Sequence, residues 1–436
     1  MSHLPLAPRL PGQLIWGSML EMERDPLAFL DKIAQDYSRL VRVRFAVITA
    51  TAAIHPHAVE HVLQKNHTNY SKELFDYKIL RRALGRGLLT NDGPDWLRQR
   101  RMIQPAFQKS RLEQYRTLMS RAVQEMLDRW SALPDAIVDV GVEMHRLTLR
   151  IVGEALFSLD LTGDAVVFGE ALNRTNELLA KRFFSKAPPF VPIPNDLRLA
   201  FAVRRLRGVV DQMIAGRRSN PEDQDDLLSR LMRARDERGA MSARQLRDEI
   251  LTLVAAGHET TATALAWTLV ELAAHPLERE RLEQECQKPT ETLPDGVSRT
   301  RAVIQESMRL HPPAWIFSRK AIQEDEIMGH RIPGGSMVLI SPWLTQRHPA
   351  FWENARAFQP DRFIGKQRGT DYRYFPFGGG PRLCVGADFA MAEAEIVLGA
   401  IVSRFRLEPL FSFPVRSRPM ITLQPAGPLH FRLHAL

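Results

Sequence analysis

Residues 243–274 carry apolar side chains at three- and four-residue spacing without a break, the pattern of one long helix. Its most apolar part, Leu251 to Ala274, contains His258, Glu259 and Glu271 and is too polar to span a bilayer. Such a helix belongs inside a large water-soluble fold, and the remaining sequence is consistent with one. Helical spacing also runs through Leu27–Tyr37, Asp95–Phe107, Leu112–Leu133, Val142–Phe157, Leu199–Ile214 and Arg299–Leu310. Strand signals are few: LVRVRFAVITA near the N-terminus, Met337–Ser341 and Pro419–Leu433. The pattern predicts a mainly α fold with a minor β portion. No linker or fixed-period repeat divides the chain, so residues 1–436 read as a single domain. Two segments break the pattern. Ala187–Asn195 is Pro-rich and apolar between two helices, and Asn220–Arg238 is dense in charge, a solvated loop and helix.

Charge and cysteine content narrow the function. The 59 Lys+Arg against 50 Asp+Glu give +9, which suits an acidic partner or anionic lipid, or serves solubility alone. Cys286 and Cys384 are too few and too far apart for a disulfide framework or a CxxC site, which fits a reducing compartment. The N-terminal stretch is interrupted by Pro5, Pro8 and Pro11 and reads as neither signal peptide nor anchor. A cytoplasmic protein is the expectation. Several catalytic signatures fail. His258-Glu259 opens like a zinc helix, but position 262 is Ala where a second His is needed. Gly378–Gly380 complete neither phosphate-binding pattern, no G-x-S-x-G elbow occurs, and no aromatic-basic pattern points to nucleic acid.

What holds is Phe377-Gly-Gly-Gly-Pro-Arg-Leu-Cys384-Val-Gly386, a Gly/Pro-rich loop ahead of a helix over Gly386–Phe405. Backbone N–H groups in such a loop, backed by a helix N-terminus, can stabilise a thiolate. The glycines admit a flat ligand, and Phe377 can shield the sulfur. That is the environment of a single-thiolate haem site. Local chemistry alone leaves open a buried structural cysteine.

The loop matches F-x-x-G-x-R-x-C-x-G and resembles the haem-ligand signature of the cytochrome P450 family. Further motifs follow the family's order. Ala256, Gly257, His258, Glu259, Thr260 and Thr261 resemble its oxygen-activation motif. Independently, Gly257 is costly inside a helix, and the Thr260 hydroxyl can bond the carbonyl of Ala256, distorting the ladder into a groove for dioxygen. Without the resemblance, a Thr satisfied by its own helix and an exposed Glu259 explain the residues equally. Glu306 and Arg309 share a helix face, and Phe358-Gln-Pro360-Asp-Arg362-Phe363 resembles the segment whose Arg completes a buried Arg-Glu-Arg cluster. Trp96 and Arg100, one turn apart, resemble the family's propionate-binding pair, and Arg319 and Arg382 match further propionate positions.

The resemblance implies a helical triangular prism with a small β-rich side, holding haem b between two long helices. It implies thiolate ligation by Cys384 and proton delivery by Thr260 and Glu259 as one oxygen of O2 enters a C–H or C=C bond. Electrons would come from NAD(P)H through a separate reductase and a ferredoxin or flavodoxin, docked at Arg98, Arg101, Lys366 and Arg368. The flanking motifs are similar to the branch of fatty-acid and carotenoid hydroxylases, which implies a lipophilic substrate: a terpenoid, carotenoid or fatty acid. Pocket walls would come from Leu253, Ala256, Ala314, Ile316, Ile421 and Thr422, under a lid at Phe183–Asn195. A monomer without a transmembrane anchor, touching a membrane at most peripherally, is expected. Alternatives are a peroxide-driven peroxygenase, disfavoured by the intact Glu259–Thr260, and a haem-binding protein without turnover.

Overall fold

The computed structural model describes residues 3–133, 136–158, 165–183, 185, 191–219, 226–237, 239–287, 298–365 and 371–436. The helices that position the site are α1 (Phe75–Leu84), α2 (Gly93–Ile103), α3 (Lys109–Ser131), α4 (Val140–Phe157), α5 (Ala165–Phe183), α6 (Pro194–Ser219), α7 (Ala243–Ala274), α8 (Arg299–Leu310) and α9 (Ala387–Arg404). The long helix begins where Ser242 caps it, its side chain accepting the Gln245 N–H at 3.1 Å, and ends at Ala274, two residues before Pro276. It is buried around most of its circumference from Leu246 to Leu272. A helix apolar on all sides is the centre of a fold, and α7 packs most extensively on α4. Residues of α3, α4, α6, α7, α8 and α9 share one continuous core around Trp130, Val152, Leu265 and Val397.

Strands lie on one flank. A five-stranded sheet runs in the order Leu40–Phe45, Ile48–Ala53, Met337–Ile340, Phe317–Ala321, Tyr70–Ser71. Met337 pairs in parallel with Ala50, and the other pairings are antiparallel. Phe405–Pro409, His430–Ala435 and Ile137–Asp139 form a second sheet. A hairpin of Ser417–Pro419 and Leu423–Pro425 is tied to the core at its tip. Trp267 Nε1 on α7 donates to the Leu423 carbonyl at 2.7 Å, and Trp315 Nε1 donates to that of Met420 at 3.1 Å. This clamp brings Thr422 and Gln424 against α7. Among the described residues no helix is long and apolar enough to cross a membrane.

Residues 187–190 of the Pro-rich segment, including Phe190, lie outside the described residues, as do Lys366, Arg368 and residues 220–225. The described part of the charged segment departs from a purely solvated reading. Leu227–Arg233 is a helix with Leu227, Leu228 and Leu231 buried, because Asp226 caps it and pairs with Arg217 at 2.6 Å.

Candidate active site

Cys384 sits between a Gly-rich turn and α9. Gly380 lies at φ +62°, and a Cβ there would fall 2.0 Å from the Leu63 carbonyl oxygen, so the turn fits against its neighbour only as glycine. The Cys384 N–H donates to the Phe377 carbonyl at 3.0 Å, which closes the loop. Arg100 Nη1 on α2 donates to the Leu383 carbonyl at 2.8 Å and fixes the loop from the other side. Cys384 is accessible, yet the surrounding protein desolvates its thiol. Burial pushes the thiol up, while the Gly386 N–H and the Arg100 guanidinium favour the thiolate. Cys286 is half-buried, 3.9 Å from the Thr300 hydroxyl, with no comparable donors.

Beside the loop stands a cluster of cations. The Arg382 guanidinium lies over the Trp96 ring at 4.2 Å and pairs with Asp92, the N-cap of α2. Arg319, buried, donates to Tyr77 Oη and the Ser318 carbonyl, each at 2.7 Å. Lys72, also buried, donates through Nζ to the Leu89 carbonyl at 2.6 Å, and its N–H donates to Asp92 at 2.5 Å. Among the described residues neither Lys72 Nζ nor Arg319 reaches a carboxylate at ion-pair distance. Burial, and then the charges of Arg319 and Arg382, hold the Lys72 ammonium well below the usual lysine range.

On α7, Ala255, Ala256, Gly257 and Thr260 are half-exposed, although the turns on either side are buried. Thr260 Oγ1 donates to the Ala256 carbonyl at 2.6 Å, and Thr261 Oγ1 to that of Gly257 at 3.1 Å. The Thr260 bond to Ala256 is the expected one, and α7 remains helical through both bonds. Gly257 has a packing reason: a Cβ there would lie 3.1 Å from Val152 Cγ2 on α4. Glu259 is buried. One carboxylate oxygen accepts from Thr422 Oγ1 at 2.7 Å and Gln424 Nε2 at 3.0 Å, and the other accepts from Asn176 Nδ2 on α5. Burial raises this carboxyl above the usual range, partly offset by the Thr422 and Gln424 donors.

Glu306 and Arg309 on α8 are fully buried and paired through two bonds, 2.7 and 2.8 Å. Arg309 also donates to the carbonyls of Gln346, Ala355 and Ala357. Arg362 Nε and the Gln359 N–H both reach Glu306 Oε1, at 3.3 and 2.9 Å. Every polar group in this cluster serves to hold the segment before the cysteine loop onto α8.

The cytochrome P450 family model matches residues 8–430. The chain belongs to the cytochrome P450 family. It is 34% identical to cyclooctatin synthase of Streptomyces melanosporofaciens over 96% of this chain and 94% of that relative. It is 31% identical to pentalenene oxygenase of Streptomyces avermitilis over 99% of this chain and 98% of that relative. Among solved structures, the cytochrome P450DA haem domain superposes with a TM-score of 0.88 at 26% identity, covering 99% of this chain and 98% of that one. CYP175A1 from Thermus thermophilus gives 0.81 at 28% identity, over 98% of this chain and 100% of that one. This cytochrome P450 is therefore a monooxygenase of that fold, mainly α with small β sheets.

The family implies haem, and the residues fit it. The exposed Cys384 has the Gly386 N–H and the Arg100 guanidinium favouring its thiolate. The unneutralised Lys72 and Arg319 beside Arg382 and Trp96 suit two propionates, and a half-exposed strip interrupts the buried α7. Two of the expected pocket residues have other contacts in the fold. Thr422 is buried with its hydroxyl on Glu259, so it braces the carboxylate. Leu253 is buried in the shared core of α3, α4 and α7. Ala314 is exposed and Ile316 half-buried, whereas Ile421 packs against the apolar cluster that contains Ile79, Leu179 and Val203. Arg98 faces inward, donating to the Gly239 carbonyl at 2.9 Å, while Arg101 is exposed. Sequence reasoning missed Lys72, Asp92, Asn176 and Gln424, each of which comes from a segment with no motif of its own.

Proposed function

We propose that this P450 is a single-domain monooxygenase that oxidises a lipophilic, terpenoid-like substrate with electrons from a separate redox partner. The observation that carries the reading is the exposed Cys384 in the loop that also supplies Arg382 to the cluster with Lys72 and Arg319. Haem bound there would supply dioxygen activation and transfer of one oxygen atom to a C–H or C=C bond. Cys384 would ligate the iron as thiolate, with Phe377 shielding the sulfur. Trp96, Arg100, Arg319 and Arg382, joined by Lys72, would hold the propionates. Thr260 would hold a proton at Oγ1, and Glu259, with its raised carboxyl, would pass protons to it from the side of Asn176 and Gln424. Gly257 would let α7 approach α4 while its half-exposed neighbour Ala256 meets the ligand.

The terpenoid reading rests on two relatives named for such chemistry, and Ala256, Ala314, Ile316 and Ile421 supply apolar contacts that suit it. Electrons would pass from NAD(P)H through a reductase and a ferredoxin or flavodoxin docked near the exposed Arg101. On this reading the enzyme works as a cytoplasmic monomer, with membrane contact at most peripheral. Titrating the holoenzyme with cyclic terpene hydrocarbons, carotenoids and fatty acids tests the substrate class. Terpenes should displace the iron-bound water and shift the Soret band. A shift with fatty acids alone would overturn the terpenoid assignment.

A further inference from the structure

Outside the cysteine loop, α1, α6 and α7 line an open cavity of about 890 Å³. Four guanidinium groups line it: Arg82 from α1, Arg204 and Arg207 from α6, and Arg247 from α7. Its two carboxylates are already engaged, Asp196 with Arg82 at 2.8 Å and Asp211 with Arg247 at 3.0 Å. Among the described residues Arg204 and Arg207 have no carboxylate at ion-pair distance. Arg207 donates through Nη2 to the Arg82 carbonyl at 2.9 Å, while its Nε, like that of Arg247, is buried without a partner.

Burial works against the Arg207 cation most, followed by the charges of Arg247 and Arg244, while Asp248 and Asp211 partly offset them. Planar forks converging from three elements suit a tetrahedral oxyanion. The rim adds a second feature. Leu197 and Phe201, 70% and 74% exposed, lie on α6 beside Ala200 and Arg204. Leu199 and Val203 line the same cavity.

We propose that this cavity binds the phosphate head of an amphiphilic phosphate ester, with its hydrocarbon part resting on Leu197 and Phe201. The head bridges Arg204 and Arg207 on α6 to the arginines of α1 and α7. None of its lining residues is among those assigned to haem. Its chemistry is shared by free organic phosphates and phospholipid headgroups, and its concave shape suits the free ester.

Calorimetric titration of the holoenzyme with inorganic phosphate and with dodecyl phosphate below its micellar concentration tests this. One equivalent of dodecyl phosphate should bind, more tightly than inorganic phosphate. Arg204→Ala should weaken both about tenfold. Phe201→Ser should weaken dodecyl phosphate alone. Arg205→Ala, which removes the same charge from the same helix outside the cavity, should change neither. Arg204 is exposed and makes no bond among the described residues, so its variant should fold, as the unshifted Soret band would verify. Equal losses in Arg204→Ala and Arg205→Ala would mean a response to net charge and overturn the site. Binding to phosphatidylglycerol vesicles without binding of soluble dodecyl phosphate would overturn it too, in favour of a flat membrane contact.

Discussion

Thr422 donates its hydroxyl to Glu259 across 2.7 Å, joining the C-terminal hairpin to the middle of the long helix. A carboxylate that is buried and held from two further sides by Gln424 and Asn176 is tuned by these donors.

Thr422→Val keeps the volume and removes the donor. The Glu259 carboxyl should then rise further, because the lost bond favoured its charged form. The pH profile of product formed per NADPH should shift to higher pH, with the haem spectrum intact. An unchanged profile would show that Glu259 does not set proton delivery.

The Glu306–Arg309 pair is a stability element. Glu306→Ala leaves the buried Arg309 charge unpaired and frees Arg362 and the Gln359 N–H. Loss of about 3–5 kcal/mol is expected, seen as lower soluble yield and an earlier denaturant midpoint. A loss below about 1 kcal/mol would place the pair among weak surface bridges.

Glu249 on α7 titrates with a sign that can be checked. Burial raises its carboxyl from 4.5 to about 8, although the Leu88 N–H at 2.9 Å opposes the rise. The folded state therefore favours the protonated form. Its contribution is fully present below pH 4.5 and is lost as pH rises to about 8, at about 1.4 kcal/mol per unit of difference. Glu249→Gln should stabilise the protein at pH 8–9 relative to wild type, with little difference at pH 4–5. Denaturation across that range checks it, and a pH-independent difference would contradict it.

The parts most legible in sequence were those fixed by local pattern. The periodicity of residues 243–274 and 299–310 coincides with α7 and α8 because capping serines and following residues at Pro276 and Pro312 mark both ends. Phe317–Ala321 was not legible. Its Ser318 and Arg319 look like surface residues, but Asp76 and Tyr77 on α1 satisfy them inside the fold. Phe405–Pro409 escaped for a related reason, being defined by pairing with His430–Ala435. The charged helix Pro276–Gln287 buries few residues and shows little apolar stripe. At the site, the motifs located Cys384, Thr260 and Glu306, whereas Thr422 and Lys72 gain their meaning from contacts distant in sequence.

Cys384 as the iron ligand is the central claim, and the ferrous carbonyl spectrum reads it directly. The wild-type protein and Cys286→Ala should show the red-shifted Soret band of thiolate ligation, and Cys384→Ala should lose it. Retention of that band in Cys384→Ala, or its loss in Cys286→Ala, would contradict the account.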